Sequence, residues 1–260
     1  MLFAGKVVLV TGAGSGIGKA TALAFARHGA SVGVLSHTVE EVEAVVKELL
    51  ELGGAGLALA ADVADEASMR ASVEHLVRAF GGLDIVVANA GINGVWAPID
   101  DLKPAEWDET ISVNLRGTYL TLHLTVPHLK RAGEGAIVVV SSINGTRTFT
   151  TPGATAYSAT KAAQVAMVQQ LALELGKAGI RVNAVCPGAI ETRIDENTEQ
   201  RGASETAIPV VWPEGDIPVS HGKPGTPSEV ADVILFLASS KARHITGIPL
   251  WIDGGQGLLR

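Results

Sequence analysis

The 260-residue sequence contains a single cysteine and no long apolar run. Cys186 alone excludes an internal disulfide and a cysteine-cluster metal site, which fits a reducing compartment. It follows the apolar run Ile180 to Val185, so we interpret it as a small buried hydrophobe rather than a nucleophile. No apolar run reaches the roughly 18 residues of a membrane span, and Met1 to Gly5 lack the layout of a secretory signal. We therefore expect a cytoplasmic protein without membrane association.

The sequence also has fewer basic than acidic residues, with 20 Lys and Arg and 27 Asp and Glu, which gives a formal net charge of −7. Binding to a phosphate backbone needs clustered basic residues, so we expect no nucleic-acid partner. The seven His residues show no metal-ligand spacing such as H-E-x-x-H, and no metal site is predicted. Hydrophobic residues, in contrast, make up 47% of the chain, which supplies a core and argues against disorder.

Short apolar runs alternate with segments of helical periodicity, a pattern typical of strand-helix-strand units around a parallel sheet. The runs are rich in Val and Ile, as expected of strands covered on both faces. The predicted strands are Lys6 to Thr11, Ser31 to Leu35, Gly56 to Ala60, Asp84 to Ala88, Ala136 to Ser141, Ile180 to Cys186 and Ile248 to Ile252. The predicted helices are 17–28, 39–52, 66–80, 105–130, 155–177 and 227–239. The fold class is α/β: a single doubly wound Rossmann-type domain over 1–260, with a seven-stranded parallel sheet and helices on both faces.

The alternation is interrupted between Glu191 and Gly225 by a charged, irregular stretch. Its prolines are Pro209, Pro213, Pro218 and Pro224. A loop of this length inside a compact domain is usually a functional lid or a mobile segment, so we predict a substrate lid at 191–225, with disorder as the alternative. Two of the helices have candidate N-caps, Thr38 and Thr226.

A glycine-rich turn, Thr11 to Gly18, follows the first predicted strand and opens a helix. This is the context that a dinucleotide pyrophosphate site requires, although glycines also occur in tight turns for backbone reasons alone. Gly12 allows a sharp turn, Gly16 a close approach to phosphates, and Gly18 close packing of the helix on the strand. Predicted cofactor contacts in the turn are Gly12, Ser15, Gly16, Ile17 and Gly18.

The turn resembles the T-G-x-x-x-G-I-G signature of the short-chain dehydrogenase/reductase family, and further motifs follow in the family's order. Ala88 to Gly91 reads A-N-A-G and resembles the family's N-N-A-G, with the first Asn replaced. Trp251 to Gly255 resembles the family's C-terminal V-D-G-G. The match runs from Lys6 to Gly255. The family resemblance implies a doubly wound sheet with a nicotinamide cofactor across the carboxyl ends of the strands, and usually a homotetramer built on the two long helices.

The resemblance also assigns residues to roles. The family's catalytic tetrad matches Asn114, Ser142, Tyr157 and Lys161. Asp62, followed by Val63, matches the residue that contacts adenine, whereas Ile190 and Thr192 match positions that contact the nicotinamide carboxamide. The remaining predicted cofactor contacts are Ser36, His37, Asn89, Ala90, Gly91, Tyr157, Lys161, Pro187 and Gly188.

Tyr157 and Lys161 stand four residues apart on a predicted helix, so their side chains share a face. A phenol with an ordinary pKa of about 10 is a poor base at neutral pH, and an adjacent ammonium favours the phenolate. Tyr157 can then take a proton from an alcohol or return one to a carbonyl. By resemblance, Lys161 also hydrogen-bonds the nicotinamide ribose, and Ser142, with Ser141 as the nearby alternative, holds the substrate oxygen. Asn114 is expected, by resemblance, to distort its helix and support a water relay to Lys161.

Cofactor choice depends on the end of the second strand, where a carboxylate pairs with a ribose 2′-hydroxyl and a basic residue with a 2′-phosphate. Ser36 stands where Asp would indicate NAD(H), and His37 where NADP-preferring relatives often carry Arg. Ser15 is not basic. Because the missing carboxylate removes repulsion and both Ser36 and His37 can donate hydrogen bonds, we favour NADP(H) over NAD(H).

The substrate is less well defined. Trp96, Phe149 and Trp212 are candidate apolar walls, and each is equally well explained as a packing residue. Arg147 and Arg193 are candidates for an acidic substrate, although isolated arginines are usually solvated. The predicted function is hydride transfer between a nicotinamide cofactor and a small-molecule secondary alcohol or ketone. A cofactor-binding regulatory or scaffold protein and a non-redox isomerase or dehydratase are the alternatives.

Overall fold

The computed structural model describes residues 1–192, 194, 198–208 and 215–259. Its strands are β1 (Val7–Thr11), β2 (Ser31–Ser36), β3 (Ala55–Ala60), β4 (Ile85–Ala88), β5 (Val95–Trp96), β6 (Gly135–Val140), β7 (Ile180–Pro187), β8 (Glu199–Gln200) and β9 (Pro249–Ile252). Within the described residues, seven of them form one parallel sheet in the order β3-β2-β1-β4-β6-β7-β9, and β5 pairs with β8 separately. All seven predicted strands are confirmed, each to within one residue at either end.

Helices cover both faces of the sheet. They are α1 (Gly16–Arg27), α2 (Val39–Glu51), α3 (Glu66–Phe80), α4 (Pro104–Thr110), α5 (Gly117–Ala132), α6 (Thr155–Gly176), α7 (Ala203–Thr206) and α8 (Pro227–Ala238). Side chains alternate across a strand, so Val8 faces one core with α1, α2 and α8, whereas Leu9 faces a second core with α3, α5 and α6. The chain is therefore a single doubly wound α/β domain, as predicted.

The strand order reverses between β1 and β4, because the chain runs outward from β1 to β3 and then returns to the other side of β1. Ligands of open α/β sheets bind in the crevice at such a reversal, outside the carboxyl ends of the strands. Thr11 and Ala88 are the last residues of the two strands that border this crevice. The glycine turn and the Asn89 segment therefore leave the sheet side by side.

Two predictions of local structure need correction. The single helix expected over 105–130 is interrupted by a π-helical segment, Ile111–Arg116, between α4 and α5. One extra residue per turn does not disturb the apolar pattern enough to be seen in the sequence. Thr38 occupies the N-cap position of α2, but its side chain makes no capping hydrogen bond. Thr226, in contrast, forms the predicted cap, in a reciprocal capping box with Glu229.

The insertion at 191–225 is closed at its base, because Glu191 N donates to Gly225 O and Gly225 N donates to Ala189 O, both at 2.9 Å. Its described part contains β8, α7 and a 3₁₀ turn at Pro218–Ser220. Pro209 and Pro213 lie outside the described residues. None of the helices in the described ranges is both long enough and apolar enough to cross a membrane.

Candidate active site

The glycine turn between β1 and α1 has the shape of a phosphate cradle. Gly12 and Gly16 adopt positive φ angles of 63° and 52°, which favour glycine. A Cβ at Gly18 would collide with the Gly12 carbonyl and lie 2.6 Å from Asn89 Nδ2. Ser15, the N-cap of α1, makes no side-chain capping bond, so the first amides of the helix are left for an anion. These residues fit a dinucleotide pyrophosphate.

Thr11 braces the glycine turn against the end of β4. Its hydroxyl oxygen accepts hydrogen bonds from Asn89 N at 3.0 Å and Ala90 N at 3.1 Å. The Asn89 side chain returns across the crevice and donates to Thr11 O and Gly12 O at 2.9 and 3.1 Å. In this structure Asn89 thus holds the turn itself, a role that the sequence analysis did not assign to it.

Lys161 is buried beneath the crevice, with 4% of its surface exposed. Its ammonium donates to Val140 O at 3.0 Å and lies 5.4 Å from the centre of the Tyr157 ring. Burial lowers the pKa of Lys161 to about 8, so the side chain is still mostly cationic at neutral pH. Gly91 lies next to this group, since a Cβ there would be 3.6 Å from Lys161 Nζ and 3.2 Å from Asn114 Oδ1. The expected pairing of Tyr157 with a neighbouring cation is present.

The two serines after β6 have different surroundings. Ser141 Oγ donates to the backbone oxygen of Lys161 at 2.8 Å and thereby fixes α6 against the strand. Ser142 Oγ accepts from Asn144 N at 3.1 Å and is 8% exposed. Tyr157 is half-buried, with its ring centre 6.5 Å from that of Trp96. Ser141 is therefore engaged in packing, which leaves Ser142 as the stronger candidate for contact with substrate.

Asn114 lies in the π-helical segment and is fully buried. Its side chain accepts from Ile92 N and donates to Ile92 O, both at 2.8 Å, and also donates to Thr160 Oγ1 at 3.2 Å. Its backbone oxygen accepts from Gln164 Nε2 and Thr118 Oγ1, which uses both acceptor positions of a carbonyl. The helix distortion expected at Asn114 is present, and it fastens the segment after β4 to α6.

The far wall of the crevice follows β7. Pro187 ends that strand, and Gly188 N donates to Ile252 O at 3.0 Å. Ile190 packs on the core and bridges to Gly225. Thr192 reaches back to the glycine turn, because a Cβ at Gly16 would lie 3.3 Å from Thr192 Cγ2. Of these predicted residues, Thr192 therefore lies against the glycine turn.

The residues predicted to contact the adenosine lie at the end of β2 and in the turn after β3. Ser36 is buried at the end of β2, whereas the adjacent His37 is exposed. Asp62 is exposed and its carboxylate accepts from Ala64 N at 2.8 Å, while Val63 is buried. These four predicted contacts thus lie together at the carboxyl ends of two neighbouring strands, β2 and β3.

Arg201 joins the insertion to the segment that follows β4. Its guanidinium binds carboxylates of Asp101, Glu106 and Glu199 at 2.8 to 3.1 Å. These contacts hold the pKa of Glu106 near 2, with the Arg201 hydrogen bond as the main cause. Close by, Thr198 Oγ1 accepts from Asn93 Nδ2 at 2.8 Å. Residues 198–201 of the insertion are thereby fastened to the segment that follows β4.

Of the residues considered for substrate contact, only some lie near Tyr157. Trp96 does, and Phe149, which is 73% exposed, lines a cavity of about 490 Å³ with Ile99 and Ser158, the residue after Tyr157. Arg147 stacks at 3.8 Å on the Trp251 ring and lies 3.8 Å from the Asp253 carboxylate. The predicted contacts Arg193 and Trp212 lie outside the described residues.

Cys186 is completely buried, and burial raises the pKa of its thiol to about 11. The interpretation as a small hydrophobe is confirmed. Sequence reasoning missed three groups at the crevice: Gln164, Arg201 and Glu41, whose side chain packs against Gly14. Gln164 had a signal, since it lies three residues after Lys161 on the same helix. Arg201 and Glu41 had none, because Asp101 and Glu106, and Gly14, are distant from them in sequence.

Comparison with known proteins agrees with this geometry. A family model described as enoyl-(acyl carrier protein) reductase matches residues 12–256. The 3-oxoacyl-(acyl-carrier-protein) reductase FabG of Thermotoga maritima is 41% identical over 255 residues, which cover 98% of this chain and 99% of that protein.

Solved structures match equally well. A 3-ketoacyl-ACP reductase from Sinorhizobium meliloti 1021 is 71% identical, with a TM-score of 0.96 over 98% of this chain and 100% of that one. A 3-ketoacyl-(acyl-carrier-protein) reductase from Brucella melitensis, complexed with NADH, is 36% identical, with a TM-score of 0.86 over 98% and 99% of the two chains. The protein described here is thus a member of the short-chain dehydrogenase/reductase family and an NAD(P)-dependent oxidoreductase.

Proposed function

We propose that this chain interconverts a secondary alcohol and its ketone, with Tyr157 as the general acid and base. The observation that carries the proposal is the buried ammonium of Lys161, 5.4 Å from the centre of the Tyr157 ring. A cation in a site with little water favours a phenolate more strongly than one at the surface. The bound nicotinamide supplies or accepts the hydride, and the residues of this chain handle the proton.

The roles of the neighbouring groups follow from their contacts. Lys161 is held by Val140 O at 3.0 Å, which leaves other ammonium protons to face the crevice and a ribose hydroxyl. Ser142, at the end of β6, is proposed to donate to the substrate oxygen and stabilise the charge that develops there. Asn114 is proposed as a positioning residue. Its side chain fixes the backbone of Ile92, and the preceding residue, Gly91, lies next to Lys161.

The proposed substrate carries a ketone or secondary alcohol that reaches Tyr157 beside Trp96. Because three similar proteins are named 3-oxoacyl or 3-ketoacyl reductases, 3-oxoacyl thioesters are the first substrates to test. Sugars, polyols and cyclic ketones complete the screen. We propose that 191–225 acts as the substrate lid, since Arg201 and Thr198 fasten its described part to the β4 side of the crevice.

The assembly and location also remain proposals. Leu173 on α6 is 81% exposed and Tyr119 on α5 is 50% exposed, so the two long helices carry apolar surface that a homotetramer would cover. Light scattering after gel filtration measures this directly. A cytoplasmic location is proposed on the same grounds as in the sequence analysis. The preference for NADP(H) over NAD(H) stays a prediction that rests on Ser36 and His37.

The test is Tyr157→Phe, assayed by absorbance of the reduced nicotinamide with the substrate that turns over best. We expect turnover to fall by about 10²-fold or more, the usual scale for loss of a general acid or base, with cofactor binding retained. Tyr119→Phe is the matched control, because it removes the same hydroxyl from the chain's other tyrosine, on exposed α5. Full activity in the Tyr157 variant would remove this residue from the mechanism.

A further inference from the structure

A carboxylate from α2 lies against the glycine turn. Glu41, in the first turn of α2, packs on Gly14, and a Cβ added at Gly14 would contact the Glu41 carboxylate and lie 2.9 Å from Glu41 Cβ. Any residue larger than glycine at position 14 would therefore displace this side chain. The contact joins two segments that are 27 positions apart in the sequence.

The position of Gly14 places this carboxylate at the adenosine end of the crevice. Gly14 precedes Ser15, the N-cap of α1, where the pyrophosphate is proposed to bind. The preceding residue is tied to the end of β2, because Ala13 N donates to Leu35 O at 2.9 Å. In dinucleotide-binding folds of this kind, the end of the second strand is where the adenosine ribose is recognised. Glu41 therefore lies beside the turn that is tied to this strand end, and it approaches from the helix rather than from the strand.

The charges around Glu41 do not neutralise it. Lys19, on the facing helix α1, pairs with Glu48 at 2.5 Å, one to two turns further along α2. The adjacent Glu40 is a second, exposed carboxylate. Within the described part of the chain, the Glu41 carboxylate makes no hydrogen bond or ion pair. It is half-buried beside Gly14, so its oxygens are still accessible to a ligand bound at the glycine turn.

We infer that Glu41 selects NAD(H) over NADP(H). Its carboxylate would accept a hydrogen bond from a ribose 2′-hydroxyl, whereas a 2′-phosphate brings a charge of about −1.5 to −2 against it. This inference rests on the proposed binding of a dinucleotide at the glycine turn. It reverses the preference predicted from Ser36 and His37, because the carboxylate that is missing at position 36 is supplied one turn into α2.

The test is calorimetric titration of the unmodified protein and of Glu41→Gln with NAD⁺ and NADP⁺. We expect the unmodified protein to bind NAD⁺ at least about tenfold more tightly, which corresponds to about 1.4 kcal/mol. Glu41→Gln keeps the shape and removes the charge, so its Kd for NADP⁺ should fall about tenfold and its Kd for NAD⁺ should rise a few-fold. Because the discrimination is electrostatic, the NAD⁺ preference of the unmodified protein should shrink with added salt.

Glu40→Gln is the matched control, since it removes the same charge from the exposed neighbouring position and should leave the ratio of the two Kd values unchanged. A ratio that changes equally in both variants, or an unmodified protein that prefers NADP⁺, would overturn the inference. In the latter case His37→Ala should weaken NADP⁺ alone, as the sequence-based prediction requires. If neither dinucleotide binds a folded protein, the proposed cofactor site itself fails, and with it the role of Glu41.

Discussion

Replacing Lys161 by Met should stabilise the protein at neutral pH while it impairs catalysis. Burial lowers the pKa of Lys161 from 10.5 to about 8, so keeping this buried group charged below that pH costs about 3 kcal/mol. Met fills a similar volume without a charge, but it leaves Val140 O without the Lys161 donor, a loss of about 1 kcal/mol. We therefore expect Lys161→Met to raise the free energy of unfolding by about 2 kcal/mol at pH 7.

The pH dependence gives the sharper measurement. The pKa of Lys161 is lower in the native state than in the unfolded state, so the unfolded state binds more protons between about pH 8 and 10.5. The free-energy cost of burying the charged side chain therefore disappears as the pH rises through this window. Urea unfolding of both proteins at about pH 7 and 9.5 should show the advantage of the Met variant shrinking by about 2 kcal/mol. The difference between variants cancels groups that do not interact with Lys161, and equal protein concentrations cancel assembly. An advantage that is absent, or that does not change with pH, would refute the reasoning.

Three further predictions concern packing and the insertion. Gly18→Ala forces a Cβ against the Gly12 carbonyl, so urea titration should show a loss of about 1–3 kcal/mol, together with weaker dinucleotide binding. Gly176→Ala, at an open position that ends α6, should instead gain about 0.5 kcal/mol, and a loss there would contradict the argument. Arg201→Gln removes the ion pairs with three carboxylates, so hydrogen exchange at 198–208 should accelerate. In the same variant, KM should rise severalfold while kcat stays nearly constant. In the unmodified protein, Glu106 has its pKa held near 2, so the protection of this segment should persist in mild acid and disappear only as the pH falls toward that value.

The sheet could be predicted from the sequence because its strands are covered on both faces. A strand such as β6, buried along almost its whole length, must be apolar at every position, and this leaves a continuous run that needs no partner to be recognised. The glycine turn was visible for a related reason, since its function depends on residues that are adjacent in the chain. Tyr157 and Lys161 shared a helix face, so their proximity also followed from local geometry.

What could not be predicted depends on contacts between distant segments. The helix distortion at Asn114 was expected only from the family resemblance, since it is held by the backbone of Ile92, 22 residues earlier, and no local pattern encodes that bond. Glu41 looked like an ordinary acidic residue in the first turn of a helix, where a carboxylate is favoured by the helix dipole. Its position beside Gly14 becomes visible only when α2 packs next to the glycine turn in the folded structure.

The Thr11 hydroxyl has a consequence for how the crevice meets its ligand. At the reversal of strand order, β1 and β4 diverge into separate turns, and this one oxygen accepts two amides from the opposite wall. The walls are thus joined when the chain folds, and the ordering of both turns is completed before any dinucleotide arrives. Association then loses little conformational entropy in this part of the protein, so more of the interaction free energy is available as affinity.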